Sequence, residues 1–274
     1  MFKKFFYKNK YLFKILKAYW IFIYLIKIIK KKENFYLLTE SQHNNEESKF
    51  LESLIPFIQR KYFVEIGFHF RQFNSIGLIK NNFEGKLVDT SRHDFLNLRI
   101  AKFILRFIKK KVEVLDFFVT PKNIGNIFHN KFIGFLSLDI DGNDFWILSK
   151  ILNEKINPEV IIVEYNVSFL KYPITIPYME NFNMFTYHKS QCYHGASLTA
   201  FNNLLSKNGY TLVKSIAGVN AIFVNKRIFS DAKLNKIDPL EVNQECLSRN
   251  RRTKSTSFEQ YDSIKHLPQV IVEK

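Results

Sequence analysis

The stretch FLSLDIDGNDFW, residues 135–146, joins a largely apolar run to three closely spaced carboxylates. Residues 135–138 favour a buried strand, and Asp139, Asp141 and Asp144 follow at once. A buried carboxylate is unfavourable unless it is hydrogen-bonded, paired or bound to a cation. We therefore expect these side chains at the rim of the domain, where the strand ends, and not inside its core.

Short apolar runs alternate with segments of helical periodicity on both sides of this stretch. The predicted strands are residues 61–68, 85–91, 112–120, 132–140 and 158–166. The predicted helices are residues 93–111, 143–155 and 196–208. Two further runs around a glycine, TLVKSIAGVNAIFVNK at 211–226, predict a closing antiparallel hairpin. The pattern indicates an α/β fold with a Rossmann-like, seven-stranded and mostly parallel sheet.

The composition excludes several classes of protein. An apolar content of 46%, with 29 Phe and 13 Tyr, excludes a disordered chain. Residues 1–32 hold ten Lys and no acid, so most of the net charge of +16 belongs to this segment. A basic appendage on an ordinary domain makes nucleic acid an improbable partner. Cys192 and Cys246 lack metal-type spacing and indicate a reducing, cytoplasmic compartment.

The basic segment 1–32 has three interpretations. Its longest uninterrupted apolar run, residues 18–26, is shorter than the roughly 20 residues that a spanning helix needs. On a helix the lysines form a narrow stripe beside a wide apolar face that contains Trp20, which is typical of a helix on an anionic membrane surface. A helix packed on the protein itself, or a true span, remains open.

Polar and acidic residues follow nearly every predicted strand. Ligands of open α/β sheets bind outside the carboxyl ends of the strands, so these residues are the candidates for a site. They are Glu65 and Gly67 after the first strand, Asp89 after the second, Asp139 and Asp141 after the fourth, and Glu164 and Asn166 after the fifth. Asp89 is placed to accept hydrogen bonds from ribose hydroxyls, although an acid that caps the next helix has the same spacing.

Five motifs occur in a fixed order along the chain. FVEIGF, LSLDIDGNDFWIL, PEVIIVEYN, YHGASLTAFNNLLSKNGYTLV and GVNAIFV resemble those of FkbM-like, S-adenosylmethionine-dependent methyltransferases. The resemblance covers about residues 60–228. It implies the seven-stranded methyltransferase fold, S-adenosylmethionine as cofactor, and O-methylation of a sugar, glycan or related metabolite hydroxyl as the reaction.

The resemblance transfers three cofactor-binding residues. Glu65 and Gly67 match the start of the family's glycine-rich motif, and Asp89 matches its ribose-binding acid. The later glycines of that motif have no counterpart, because residues 68–71 read Phe-His-Phe-Arg. A side chain in place of a bare backbone narrows the approach of the cofactor. Either the turn takes another shape, or cofactor binding has been lost.

Methyl transfer to a hydroxyl needs alignment of the two reactants and a base or a metal for the acceptor proton. Asp141, Asp139 and His194 are the candidate catalytic residues. Asp141, Glu164 and Asn166 are a candidate all-oxygen site for Mg²⁺, with ligands of the type this ion prefers. The alternative is structural: aspartates bonded to loop amides, and a loop histidine without a catalytic role.

The predicted organisation has four parts. Residues 1–32 form the membrane-surface helix, 33–50 a polar linker, 51–228 the methyltransferase-like domain, and 229–274 a tail without an assigned role. The expected location is the cytoplasmic face of a membrane. Two other functions remain open: an inactive methyltransferase-fold scaffold at the membrane and, third, an RNA-binding or RNA-modifying protein.

Overall fold

The computed structural model describes residues 42–107, 110–128, 132–242 and 245–274, together with Ile26. The membrane-surface helix expected at 1–32 lies outside the described residues, apart from that single position. In the described ranges, no helix is both long enough and apolar enough to cross a membrane.

A seven-stranded sheet forms the centre of the fold. The strands of the described chain are β1 (Tyr62–Ile66), β2 (Glu84–Asp89), β3 (Val112–Asp116), β4 (Phe132–Leu138), β5 (Asn157–Glu164), β6 (Ile174–Thr175), β7 (Tyr210–Ile216), β8 (Asn220–Asn225) and β9 (Val270–Ile271). The order in the large sheet is β3-β2-β1-β4-β5-β8-β7, and β8 alone runs antiparallel to both of its neighbours. The predicted fold class, a mostly parallel sheet closed by an antiparallel hairpin, is confirmed.

Helices cover both faces of this sheet. The described helices are α1 (Gln42–Leu54), α2 (Ile76–Lys80), α3 (Ser91–Phe107), α4 (Asp144–Asn153), α5 (Met184–Tyr187), α6 (Leu198–Lys207), α7 (Lys226–Asp231), α8 (Leu247–Thr253) and α9 (Ser257–Ile264). Short 3₁₀ turns lie at Ile55–Phe57, Ile124–Ile127 and Val167–Phe169.

The central strands read as nearly continuous apolar runs because both of their faces are buried. Phe63 of β1 belongs to the core cluster on one face, and its neighbour Val64 belongs to the cluster on the other. Ile161 and Ile162 of β5 divide in the same way. The strand order reverses on either side of β1 and β4, which places a crevice at their carboxyl ends.

Part of the predicted linker is helical. Residues 42–50 belong to α1, and the next residue of this helix, Leu51, is fully buried. The polar residues of this segment are bonded within the fold: Ser48 Oγ accepts from Gly77 N at 3.1 Å, and Glu47 Oε1 accepts from Asn220 Nδ2 at 3.0 Å. The linker prediction is therefore wrong for residues 42–50, which form a helix whose Glu47 and Ser48 are buried and hydrogen-bonded within the fold.

The C-terminal tail is part of the same domain. Strand β9 pairs with β6 in a small antiparallel sheet, and Asn203 of α6 donates to the carbonyl of Val272 at 2.9 Å. A capping box at Thr256 and Glu259 starts α9. These contacts fix α8 and α9 beside the carboxyl ends of the central strands, and α8 brings its side chains to the site described below.

Candidate functional site

A cavity of about 340 Å³ opens at the carboxyl ends of β1, β2 and β4. Five of the residues predicted from strand ends line it: Glu65, Gly67, Asp89, Asp139 and Asp141. These residues come from three separate strands, and the parallel topology brings them to one edge of the sheet. This is the place where open α/β folds bind their ligands.

Gly67 lies where β1 leaves the sheet, with φ of +79°. Its amide donates to Val88 O at 2.8 Å, and the amide of Asp139 donates to Ile66 O at 2.9 Å. A Cβ atom on residue 67 would lie 1.6 Å from the carbonyl oxygen of Asp139. Both the positive φ and the missing space require glycine at this position.

The aromatic residues after Gly67 do not fill the cavity. His69 and Gln72 close a tight turn through two backbone hydrogen bonds, of 3.2 and 2.8 Å. That turn sends Phe70 into the core, where it is 5% exposed. Phe68 and His69 remain on the cavity wall. The turn therefore takes a different shape from a glycine-rich one and leaves space at the strand end.

Glu65 is buried beneath this turn. Its carboxylate accepts hydrogen bonds from Asn74 N and Ser75 N, both at 2.8 Å, and from Ser75 Oγ. Burial outweighs these three hydrogen bonds and raises the pKa of Glu65 to about 7. Its contacts make Glu65 a support for the residues after Gly67, although one edge of it reaches the cavity wall.

Asp89 is held with its carboxylate toward the same cavity. It accepts from Thr90 N at 2.7 Å and from Asn97 Nδ2 at 2.9 Å. The first amide of α3, Ser91 N, donates instead to Asp116 at 2.8 Å. Asp116 thus accepts from the first amide of α3, and Asp89 lines the cavity.

Asn97 is a contributor that sequence reasoning missed. Its Nδ2 also donates to Phe68 O at 2.7 Å, and its Oδ1 accepts from Phe70 N at 2.6 Å. One buried amide of α3 therefore joins Asp89 to the turn after β1. No sequence motif distinguishes this Asn from a surface residue of an amphipathic helix.

The quoted stretch ends in a loop that Asp144 organises. Its carboxylate accepts from Ile140 N at 2.8 Å and from Gly142 N at 2.9 Å. Burial raises the pKa of Asp144 to about 6, against the effect of these bonds. Asp141 between the two amides has φ of +56°, in the left-handed region. Asp144 is therefore the residue that binds the loop amides, and it presents Asp141 at the rim.

Two further residues of this stretch hold another part of the cavity wall in place. Asn143 Nδ2 donates to Met179 O at 2.8 Å, and Trp146 Nε1 donates to Ile176 O at 2.9 Å. The segment they hold contributes Glu180 and Phe182 to the cavity. Residues 135–146 thus build both the rim and its neighbouring wall.

A second cavity, of about 370 Å³, adjoins the first. Asp139, Asp141 and Met184 line both cavities. The second cavity is lined in addition by Glu164 and, from the tail, by Arg249 and Arg252. A ligand in either cavity would therefore meet the same pair of aspartates.

Glu164 ends β5 among other carboxylates. Burial, followed by the charges of Asp139 and Asp141, raises its pKa well above the usual value. The guanidinium of Arg249, 6% exposed, lies 3.6 Å from Glu164 Oε1 and opposes that shift. The only sequence signal for this arginine was the basic run SRNRRTK at 248–254.

Asn166 does not lie free beside Glu164. Its Nδ2 donates to the carbonyls of Cys192 and His194, at 2.7 and 2.8 Å. Its Oδ1 accepts from Ser168 N at 3.0 Å and from a guanidinium nitrogen of Arg249. These bonds occupy the amide that was predicted to bind a metal. Asn166 instead holds the loop that carries His194.

His194, predicted as a catalytic residue, lies beside Asp141 and Glu164. It is 1% exposed, and a ring nitrogen lies within 4.8 Å of carboxylate oxygens of Asp141 and Glu164. Burial, with the charges of Arg249 and Arg252, holds the pKa of His194 well below its usual value. Among the residues that the structure describes, Nε2 of His194 has no hydrogen-bond partner.

No protein-family model matches the chain, and no curated protein matches it. Similar solved structures include an O-methyltransferase from Bacillus cereus in complex with SAH, at 19% identity and a TM-score of 0.38 over 53% of this chain and 66% of that chain. A Staphylococcus aureus protein assigned as a caffeoyl-CoA O-methyltransferase has 13% identity and a TM-score of 0.47, over 77% of this chain and 99% of that one. The N-terminal domain of EvdMO1, in the presence of SAH and D-fucose, has 10% identity and a TM-score of 0.41, over 68% and 84%.

These similarities are distant. The chain spans 63% of a Klebsiella pneumoniae structure assigned as an O-methyltransferase and 66% of the Bacillus cereus enzyme. At such identities and TM-scores the likeness carries no inference about activity. The strand order and the two adjoining cavities of this chain are what a functional proposal can rest on.

Proposed function

We propose that the protein is an S-adenosylmethionine-dependent O-methyltransferase. One observation carries the proposal: two cavities at the carboxyl edge of the sheet meet at Asp139 and Asp141. A methyl donor in the first and a hydroxyl acceptor in the second would react across this shared wall. The FkbM-like motifs support the same reaction, and they support the family assignment as part of the proposal.

The first cavity suits the cofactor. Asp89 would accept hydrogen bonds from the ribose hydroxyls, because its carboxylate is already oriented by Thr90 and Asn97. Gly67 lines this cavity where β1 ends, and Glu65 supports the residues that follow. Phe117 and Phe118, on the wall near β3, offer apolar surface for the adenine ring.

The reaction is an in-line displacement at the methyl carbon. A lone pair of the acceptor oxygen forms the new C–O bond while the C–S bond breaks. The electron pair of the C–S bond stays on the sulfur and neutralises the sulfonium. The acceptor proton passes to a base, for which Asp141 and His194 are the candidates. Asp139, on the wall that both cavities share, would help to orient the hydroxyl.

The second cavity suits a sugar, glycan or related metabolite as acceptor. Its walls carry carboxylates, which accept from hydroxyls, and arginines, which donate to ring and hydroxyl oxygens. The FkbM-like motifs support this class of acceptor. A bound Mg²⁺ would lower the pKa of the acceptor hydroxyl and orient it, and Asp141 and Glu164 are close enough to share a cation.

We propose further that residues 1–32 hold the enzyme on the cytoplasmic face of an anionic membrane. The wide apolar face and the ten lysines of this segment support that location. Flotation of the full chain with vesicles should require anionic lipid and should weaken as salt rises. Equal flotation with neutral vesicles would contradict the electrostatic part of this proposal.

Calorimetric titration of the full chain with S-adenosylmethionine and SAH tests the main proposal. We expect binding in the micromolar range, weakened about tenfold or more by Asp89→Asn, since a charge-assisted hydrogen bond contributes about 1.5–3 kcal/mol. Asp116→Asn is the matched control, because Asp116 pairs with Asp89 across the strands but lies outside the cavity. A folded chain that binds neither ligand would overturn the proposal and favour the scaffold alternative.

A further inference from the structure

His194 is one of the two candidate bases of the proposed function, and its surroundings also suit a metal ligand. Its imidazole is 1% exposed, and within the described ranges its Nε2 has no hydrogen-bond partner. A buried polar nitrogen without a partner is unfavourable and calls for a ligand or a water. Carboxylate oxygens of Asp141 and Glu164, two residues that line the second cavity, lie within 4.8 Å of one of its ring nitrogens.

Two hydrogen bonds hold the backbone at His194 and at the residue after it. Asn166 Nδ2 bonds to the backbone carbonyl of His194 at 2.8 Å, and the next amide, Gly195 N, donates to Gly142 O at 3.0 Å. Gly142 belongs to the loop that also carries Asp141. The backbone thus joins two of the three candidate ligands before any ion binds, as a preorganised metal site requires.

The charge of the surroundings also favours a cation. Asp139, Asp141 and Glu164 line the second cavity together. The buried guanidinium of Arg249 lies at 3.6 Å from Glu164, and Arg252 lines the same cavity. Three carboxylates and two guanidinium groups leave this cavity with a net negative formal charge, which favours a cation.

We propose that Asp141, Glu164 and His194 form a site for a first-row transition-metal dication such as Mn²⁺, Fe²⁺ or Zn²⁺, in preference to Mg²⁺. Mg²⁺ prefers oxygen ligands, whereas an imidazole in the set favours the transition metals. This differs from the all-oxygen set that includes Asn166, whose amide is already bonded on both of its ends. The position of the metal beside the acceptor rests on the proposed function, but the ligand set does not.

Metal binding can be measured without any substrate. The chelator-treated full chain is titrated with Mn²⁺, free Mn²⁺ is followed by electron paramagnetic resonance, and Mg²⁺ is then added as competitor. We expect one Mn²⁺ per chain and at least tenfold weaker binding of Mg²⁺. Equal affinity for the two ions, or no binding of Mn²⁺, would overturn the proposal.

Substitutions assign the ligands. His194→Gln should weaken Mn²⁺ at least tenfold and reduce the preference over Mg²⁺, and Glu164→Gln should weaken both ions. His188→Gln is the matched control, because that ring lies on the same loop and is bonded to Ser190 Oγ, outside the cluster. A His194→Gln chain that retains the parent's Mn²⁺ affinity and selectivity contradicts the proposed ligand set. If the variant does not fold, the ion selectivity of the parent chain still decides the question.

The same samples separate this inference from the function it deepens. S-adenosylmethionine is titrated into chelator-treated protein, with and without Mn²⁺. A chain that binds the cofactor but takes up no Mn²⁺ when Mn²⁺ is added would overturn the metal site and leave the methyltransferase proposal standing. A bound Mn²⁺ in a chain that ignores the cofactor would support the site and overturn the proposed function.

Discussion

Gly67 and Asp139 lie in such close backbone contact that a Cβ atom on residue 67 would stand 1.6 Å from the carbonyl oxygen of Asp139. The contact joins the end of β1 to the end of β4, the two strands at which the sheet order reverses. Asp139 lines both cavities. The contact therefore fixes the backbone of one residue in the wall that the two cavities share.

Replacement of Gly67 tests this contact directly. Gly67→Ala should reduce the free energy of unfolding by about 3 kcal/mol or more, since overpacking adds to the cost of a positive φ. Gly209→Ala is the matched control: φ is +82° there, but nothing lies within 4 Å of the added Cβ. We expect about 1 kcal/mol for that variant in urea unfolding. Equal losses in the two variants would show that backbone conformation alone, and not the contact with Asp139, requires glycine.

Asn97 should act on cofactor binding through Asp89. Asn97→Ala removes the hydrogen bonds to Asp89 and to the backbone at Phe68 and Phe70. We expect about tenfold weaker binding of S-adenosylmethionine in calorimetry, together with a loss of stability of about 2 kcal/mol. Asn81→Ala, which removes a bond to Gly77 O on the exposed side of α2, should leave the cofactor affinity unchanged. Unchanged affinity in Asn97→Ala would mean that Asp89 does not need this partner.

Glu65 should make the folded chain less stable as the pH rises. Its pKa is about 7 in the fold against 4.5 ordinarily, so the folded state binds the proton more tightly between these values. Stability should therefore fall from about pH 5 to about pH 7 and level off above pH 8, by at most about 3 kcal/mol from this group. Asp144 and Glu164, whose pKa values are also raised, act in the same direction.

Urea unfolding at several pH values checks this effect. Glu65→Gln cannot ionise, so its stability should fall less between pH 5 and pH 8 than that of the parent chain. Glu46→Gln, an exposed change on α1, should follow the parent. A Glu65→Gln profile that runs parallel to the parent's would show that burial does not raise the pKa of Glu65.

Arg249 should stabilise the fold through Glu164. Arg249→Met removes the guanidinium 3.6 Å from Glu164, and with it the bonds to Asn166 and Ser168. Leaving a buried charge without its partner should reduce the free energy of unfolding by about 3–5 kcal/mol at pH 8. Arg251→Met, on the exposed side of the same helix, should change it by less than about 0.5 kcal/mol. A smaller loss for Arg249→Met at pH 5 than at pH 8 would support the role of Glu164, since its raised pKa favours the neutral form at lower pH.

The alternation of strands and helices was readable from the sequence because hydrophobic periodicity is a local property. The fourth strand was predicted at 132–140 and lies at Phe132–Leu138. The two strands of the closing hairpin lie on either side of the predicted glycine, Gly218. The carboxyl ends of parallel strands share one edge, so Gly67, Asp89 and Asp141 could be placed together on one cavity before their contacts were known.

Other features depend on partners that are distant in the sequence. Residues 42–50 read as a linker because nothing local shows that Glu47 bonds to Asn220. Asn166 was predicted as a metal ligand and His194 as a catalytic residue, and only the fold shows that the amide of Asn166 donates to the backbone carbonyl of His194.

The tail shows the same limit most clearly, since Arg249 reaches Asn166 across 83 positions of the chain. The sequence by itself determined the sheet, its polarity and the edge at which its polar strand-end residues gather, because these follow from local periodicity and strand direction. Only the tertiary structure decided which polar side chains bond to one another and which face the cavities, because hydrogen bonds and charge compensation depend on distances in space.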